Sequence, residues 1–156
     1  MPANLSTYAS FGKIENTKYT LILKEVLRGA FEPGISSYNL TSSNHGVYKN
    51  GIYNNKTFEE NRNQQRNKDG SINYKNKAYF VEFESENEAE NCLNSFKTLF
   101  YRFIILMMNN DMNVNWKAMP FMINYNLPWD NERLFNYFEI NKEEKEEIYN
   151  IMKPYI

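Results

Sequence analysis

Residues 77–110 read KAYFVEFESENEAENCLNSFKTLFYRFIILMMNN, and two different periods follow one another in this stretch. Over 78–84, aromatic and β-branched residues are followed by apolar/acidic alternation, which is the two-residue period of a β-strand. From 85 onward, apolar side chains recur at steps of three and four residues, which is the period of an amphipathic helix. The stretch therefore predicts a strand that leads directly into a helix.

Ser85 and Glu88 mark where this helix begins. Their S-x-x-E spacing is that of a capping box, in which the serine side chain accepts the backbone N–H three residues on and the glutamate reaches back to the cap. The apolar pattern continues to the end of the stretch, and its last turns are apolar at nearly every position, which indicates a buried C-terminal half. We predict one long helix over about 85–110, with Phe96 and Phe103 in the core.

The rest of the chain predicts a small sheet and two short helices. Residues 18–26 have the pattern of a buried strand with charged ends, and an Asn50-Gly51 pair lies between β-forming residues, which is a strong signal for a hairpin. Asp130 and Asn141 are each placed to cap a helix that follows them. We therefore predict an α+β fold, in which a small, mostly antiparallel sheet packs on the long helix and two short C-terminal helices follow.

Length, charge and cysteine content suit a single domain of the cytoplasm. Residues 1–17 carry no strong period, so we predict an N-terminal tail or docking segment there and a single α+β domain over 18–156. The formal net charge of −1 creates no global field toward nucleic acid or membrane. Cys92 is the only cysteine and can form neither an internal disulfide nor a cysteine-based zinc site. With no signal-peptide pattern and no apolar run of about 20 residues, we expect a cytoplasmic protein without a membrane partner.

Charge is segregated along the chain. Between Lys49 and Lys77 seven basic residues face three acidic ones, whereas from Trp129 onward seven acidic residues outnumber four basic ones. The basic segment contains NRNQQRN at 61–67, and in the major groove Arg pairs bidentately with guanine and Asn or Gln with adenine. An ordinary solvated loop has the same composition. If this segment contacts DNA, the expected contacts come from Arg62, Gln64, Gln65 and Arg66, with Lys68 and Lys75 on phosphates.

Nothing in the sequence assembles a catalytic site. It contains no nucleophile elbow, phosphate-binding loop, dinucleotide fingerprint or H-E-x-x-H motif. The only histidine, His45, precedes a glycine in a predicted turn, and we interpret it as structural or exposed. Asp69, Glu82 and Glu84 could supply a metal-nuclease carboxylate set, but the exposed face of a strand explains the two glutamates more simply. We predict no catalytic residue, no metal site and no cofactor.

Residues 126–129, Asn-Leu-Pro-Trp, are similar to the Asn-Pro-Pro-aromatic motif with which amino-methylating DNA methyltransferases hold a flipped base. Leu127 stands in place of the first proline, and no glycine-rich cofactor loop precedes the motif. Asp130 follows directly as a helix cap. We therefore interpret these four residues as the lead into a helix.

From about Tyr79 onward, three groups of residues carry a family resemblance. They are Glu86, Glu88, Ala89, Glu90 and Asn91; then Phe96, Lys97, Thr98, Phe100, Arg102 and Phe103; then Trp129, Asp130, Glu132, Leu134, Phe135, Tyr137, Phe138, Glu144 and Ile148. In order and spacing they resemble the C-terminal region of bacterial type II adenine-specific DNA methyltransferases, some of which are fused restriction–modification enzymes. The resemblance implies a region that lies beyond the methylation domain and is associated with target recognition. No catalytic residue of that family has a counterpart here.

These observations favour a non-catalytic domain that contacts double-stranded DNA for an adenine-methylating or restriction–modification enzyme. The alternative is a protein-interaction module that docks on a catalytic partner subunit and has no DNA affinity of its own. A small nuclease that uses Asp69, Glu82 and Glu84 is a third interpretation and requires divalent-metal-dependent cleavage. Salt dependence separates the first two hypotheses, because phosphate contacts release counterions and an apolar docking face does not.

Overall fold

The computed structural model of the chain describes residues 5–8, 19–24, 46–50, 52–53, 55–57, 78–108 and 116–155. The strands in these ranges are β1 Leu5–Tyr8, β2 Tyr19–Lys24, β3 Gly46–Lys49, β4 Ile52–Tyr53, β5 Lys56–Thr57 and β6 Ala78–Phe83. The α-helices are α1 Glu86–Phe96, α2 Leu99–Met108, α3 Asn131–Tyr137 and α4 Lys142–Met152. Strands precede helices along the chain, and the predicted α+β class is confirmed.

The sheet has the order β1-β6-β2-β3-β4-β5, and each neighbouring pair is antiparallel. β2 and β6 are neighbouring inner strands, with Leu21 opposite Val81, so both strands predicted from the apolar pattern are confirmed. The turn between β3 and β4 holds Asn50 at a φ of 50°. Asparagine tolerates this left-handed conformation, which a two-residue hairpin turn requires, and the predicted hairpin is confirmed.

The structure describes a short strand near the N-terminus that no period in the sequence indicates. β1 lies inside the segment predicted as a tail or docking segment, and it pairs antiparallel with β6, with Leu5 opposite Val81. A strand of four residues is too short to show a period of its own. Its pairing is decided by the free edge of β6, which offers unpaired backbone donors and acceptors to any extended segment.

α1 packs on one face of the sheet. Leu21 and Val81 are 0% and 1% exposed, and they share a core with Ala89 and Cys92 of the helix. Side chains alternate between the two faces of a strand, so Tyr48 points to the opposite face. Tyr48 is also fully buried, whereas Glu82, on the same face of the sheet, is exposed, so this second face is covered only in part.

Three predicted helix caps are present. Ser85, Asp130 and Asn141 each accept the backbone N–H three residues on, at 3.2, 2.8 and 2.8 Å. Each cap satisfies a donor that has no partner inside its helix. The Glu88 carboxylate accepts the Ser85 hydroxyl at 3.0 Å, which holds the first cap in place.

The long helix predicted over 85–110 is instead two helices, α1 and α2. α1 ends because the N–H groups of Lys97 and Thr98 bond to carbonyls three residues back, which tightens the last turn. Thr98 then begins α2, since its hydroxyl accepts the N–H three residues on at 3.3 Å. A second cap comes from a distant part of the chain, where Asn131 Oδ1 accepts the Phe100 N–H at 2.9 Å.

Phe96 and Phe103, both predicted as core residues, have different environments. Phe96 is fully buried, and its ring lies 5.0 and 5.2 Å from the rings of Tyr101 and Trp116 in edge contacts. Phe103 is only half-buried, and Met107 is 55% exposed. The prediction of a buried C-terminal half for the long helix is therefore wrong at these positions. Their apolar side chains border a groove.

Candidate docking groove

An apolar groove of about 500 Å³ runs between α2 and α4. From α2 it is lined by Phe100, Phe103, Ile104 and Met107. From α4 it is lined by Glu144, Glu147, Ile148 and Ile151. In both helices these are positions i, i+3, i+4 and i+7, which form one continuous helix face. The remaining lining comes from Pro120, Phe138 and Ile140.

Burial decreases from the floor of the groove to its rim. Phe100 and Ile148 form the floor and are 3% and 5% exposed. Phe103 and Ile151 are half-buried, and Met107 at the rim is 55% exposed. The groove therefore presents apolar surface to solvent and is not an enclosed cavity.

The rim carries charge on one side only. Among the described residues that line the groove, the ionisable ones are Glu144 and Glu147, and both are exposed. Lys145 lies between them in sequence but on another face of α4, where its ammonium is 5.6 Å from the Phe135 ring. The α4 side of the groove is thus acidic, whereas the lining from α2 is uncharged.

The turn between α3 and α4 shapes one part of the groove. The N–H of Glu139 bonds to the Asn136 carbonyl at 3.2 Å and the N–H of Ile140 to the Phe135 carbonyl at 2.9 Å, which is a Schellman motif. Glu139 takes the left-handed position of the motif, with a φ of 53°. The sharp reversal sets Phe138 and Ile140 into the groove lining.

Pro120 is fixed to α2 by Tyr101, whose hydroxyl donates to the Pro120 carbonyl. Nearby, the Tyr125 hydroxyl accepts the Met122 N–H at 3.0 Å, and Asn91 Nδ2 donates to the Tyr125 carbonyl at 2.9 Å. These buried hydrogen bonds attach the segment after 116 to α1 and α2. Of the groove lining, they fix the backbone of Pro120 against α2.

Cys92, Tyr101 and Tyr125 form a cluster of buried ionisable groups beneath this segment. Burial raises the pKa of the Cys92 thiol, and a hydrogen bond with Tyr125 lowers it by less. Burial also raises the pKa of Tyr101 and of Tyr125, and the neighbouring Cys92 adds to both shifts. All three groups are therefore neutral at pH 7. All three residues belong to the hydrophobic core cluster.

Residues 126–129, which are similar to a methyltransferase motif, form the lead into α3, as interpreted from the sequence. Trp129 Nε1 donates to the Asn124 carbonyl at 3.0 Å. The Arg133 guanidinium lies 3.6 Å from the centroid of the Trp129 ring and donates to the Pro128 carbonyl at 2.9 Å. A tryptophan covered by an arginine in this way serves the packing of the turn, and its face is closed to a flipped base.

The residues predicted to contact DNA all lie outside the described part of the chain: Arg62, Gln64, Gln65, Arg66, Lys68 and Lys75. His45 and Asp69 lie outside it as well. Glu82 and Glu84 are described and exposed. Within the described ranges, no three His, Cys, Asp or Glu side chains come together as a metal site would require.

No family model, curated protein or solved structure matches the chain significantly. A search of the described helices found none with the length and apolar character needed to cross a membrane.

The sequence prediction missed the groove, although its residues were visible as a pattern. Phe103, Ile104 and Met107 belong to an apolar stripe that was predicted to be core. The stripe has the same spacing whether its partner belongs to the same chain or to another one. The sequence does contain one signal of the groove: residues 104–108 are apolar at every position, which is more apolar surface than a single packing face needs.

Proposed function

We propose that this chain is a non-catalytic, cytoplasmic interaction module that docks a partner protein through the groove between α2 and α4. The observation that carries the proposal is the open apolar groove of about 500 Å³, which is lined mainly by one face of α2 and one face of α4. Exposure of such an apolar surface to water costs free energy, and a partner that buries the surface removes this cost. Phe100 and Ile148 at the floor are already packed in the core, so their side chains need no further ordering when a partner binds.

The partner we propose is the catalytic domain or subunit of an adenine-specific DNA methyltransferase or restriction enzyme. The support is the resemblance of the chain to the region that follows the methylation domain in that family. Several residues that carry the resemblance also line the groove, namely Phe100, Phe103, Phe138, Glu144 and Ile148.

Photo-crosslinking tests the docking function. A photoreactive amino acid replaces Met107 at the groove rim, and in a control variant it replaces Ile123, which is 89% exposed and outside the groove lining. A protein crosslinked only from position 107 is then purified and titrated against the parent chain, Met107→Asp and Ile123→Asp. We expect Met107→Asp to weaken binding at least about tenfold, because it places a charge against desolvated apolar surface. Equal crosslinking from both positions, or equal affinity of all three proteins, would overturn the proposal.

DNA recognition is a second candidate function, favoured by the basic excess between Lys49 and Lys77. Fluorescence anisotropy with a mixed-sequence duplex tests it over about 50 to 200 mM salt. We expect affinity to fall with salt, and an Arg62→Ala/Arg66→Ala variant to bind more weakly by roughly 1–3 kcal/mol per lost base contact. No binding at low salt would remove this candidate and leave the docking function in place.

A further inference from the structure

We propose that the occupant of the groove is an amphipathic α-helix of the partner, with lysine or arginine side chains along one flank. This inference rests on the proposed docking function and specifies the partner segment.

The walls of the groove favour a helix over an extended peptide. Both walls are α-helices, whose backbone N–H and C=O groups bond within each helix. They offer no free row of donors and acceptors with which a strand could pair, and a strand would bury its own backbone groups unsatisfied. A helix satisfies its backbone internally and presents only side chains. Two helix faces with i, i+3, i+4 and i+7 positions leave space for a third helix of the same spacing.

The dimensions of the groove set the length of the contact. The α2 face extends from Phe100 to Met107, which corresponds to about 10 Å along the helix axis at 1.5 Å per residue. A partner helix would therefore make its apolar contacts over about two turns. Four apolar side chains at i, i+3, i+4 and i+7 span this distance.

The charges on the rim determine which flank of the bound helix carries basic residues. Glu144 and Glu147 lie one turn apart on the α4 side, and both are exposed beside apolar lining. Among the described lining residues, those on the α2 side are uncharged. A helix seated in the groove would place one flank against the two carboxylates and the other against uncharged side chains. Basic residues on the first flank complement the carboxylates and set the orientation of the helix.

Binding of designed peptides tests the inference. Each peptide has about 14 residues and a covalent staple on its outer face, because a free helix of this length is marginal in water. The basic peptide carries leucine at i, i+3, i+4 and i+7 and two lysines on one flank. A matched acidic peptide replaces the lysines with glutamates, and a third peptide replaces the leucines with serines.

Fluorescence anisotropy is measured with the parent chain, Glu144→Gln/Glu147→Gln and Met107→Asp. For the parent chain at about 0.1 M salt, we expect the basic peptide to bind about tenfold more tightly than the acidic one and the serine peptide not to bind. The double Gln variant should bind both charged peptides equally. The preference of the parent chain should shrink at about 1 M salt, where the Debye length falls from about 10 to 3 Å.

Other results would overturn the inference in distinguishable ways. Equal affinity of the parent chain for both charged peptides, lost in Met107→Asp, would reject the basic flank and retain docking in the groove. Binding of none of the peptides would reject the helical occupant, and crosslinking from position 107 would still decide the docking function. Self-association abolished by Met107→Asp, measured by sedimentation, would identify a second copy of the chain as the occupant.

Discussion

Tyr125 and its neighbours make stability depend on pH in the alkaline range. Cys92, Tyr101 and Tyr125 have ordinary pKa values of 9.0, 10.0 and 10.0, and burial raises all three in the folded state. Above pH about 9 the unfolded chain releases protons that the folded chain retains, so the free energy of unfolding falls as pH rises. The stabilisation is complete below pH about 9. Above that pH, each group lowers the free energy of unfolding by at most about 1.4 kcal/mol per pH unit.

In Tyr125→Phe, the free energy of unfolding should fall less steeply with pH. Above pH about 10 the slope should be smaller by up to about 1.4 kcal/mol per pH unit. At neutral pH the variant should be about 1–3 kcal/mol less stable than the parent chain, because the buried Met122 N–H loses its acceptor. Urea unfolding between pH 8 and pH 11 measures both effects. Tyr149→Phe, at a position 47% exposed, is the matched control for loss of a tyrosine hydroxyl. An unchanged slope in Tyr125→Phe would contradict the prediction.

Glu139 holds a backbone conformation that suits glycine. Its φ of 53° is left-handed, whereas the other described non-glycine residues with positive φ, Asn50 and Asn55, are asparagines. The left-handed region costs an ordinary L-residue roughly 1–2 kcal/mol, because its Cβ crowds the following carbonyl. The Schellman motif after α3 requires this conformation at its C′ position, where glycine is the usual residue.

We expect Glu139→Gly to raise the free energy of unfolding by about 0.5–1 kcal/mol, after subtraction of the entropy that glycine loses on folding. The urea midpoint measures the change. Glu139→Ala removes the same charge but keeps the Cβ, so it should give no gain. A gain of similar size in both variants would assign the effect to charge and would contradict the backbone argument.

The division of the long predicted helix into α1 and α2 gives their apolar residues different partners. α1 lies on the sheet, whereas α2 packs against α3 and α4 and leaves one face open at the groove. Phe96 therefore has core neighbours on all sides. Phe103, seven residues later on the same predicted stripe, packs against the core but is only half-buried and lines the groove. Equal spacing along the sequence thus gives unequal burial.

Phe96→Ala should cost about 3–5 kcal/mol, because it leaves a cavity among packed aromatic rings. Phe103→Ala should cost only about 1–2 kcal/mol, since the side chain is half-buried, but it should weaken binding of the basic peptide. Urea unfolding and anisotropy measure the two effects on the same samples. Equal loss of stability in both variants would show that Phe103 is a core residue.

The chain separates charge into a basic segment and an acidic C-terminal part. One wall of the groove belongs to the acidic part, where Glu144 and Glu147 repel phosphate, and the residues predicted to contact DNA belong to the basic segment of the sequence. Docking of a protein and contact with DNA would therefore draw on different residues of the chain.

Variants of the two regions should affect two different binding events. If the basic segment contacts DNA, Lys68→Ala/Lys75→Ala should reduce the slope of log affinity against log salt by about 2, at roughly 0.9 per phosphate, and leave the basic peptide bound as before. Met107→Asp should abolish peptide binding and leave the DNA titration unchanged. Anisotropy on both ligands provides the comparison. A variant that weakened binding of both the peptide and the DNA would show that the two binding events are not independent.

Local interactions were readable from the amino-acid order, whereas contacts between distant residues were not. The α+β class, the strands β2 and β6, the hairpin at Asn50 and the caps at Ser85 and Asp130 follow from patterns and bonds within a few residues. The tertiary structure decided where the long helix is interrupted, where β1 pairs, and which apolar face stays open. The Asn131 cap on α2 joins residues 31 positions apart, and the groove depends on where α4 lies against α2. A periodic apolar stripe in the sequence indicates that one face of a helix is apolar. Only the packing of the folded chain determines whether that face is covered.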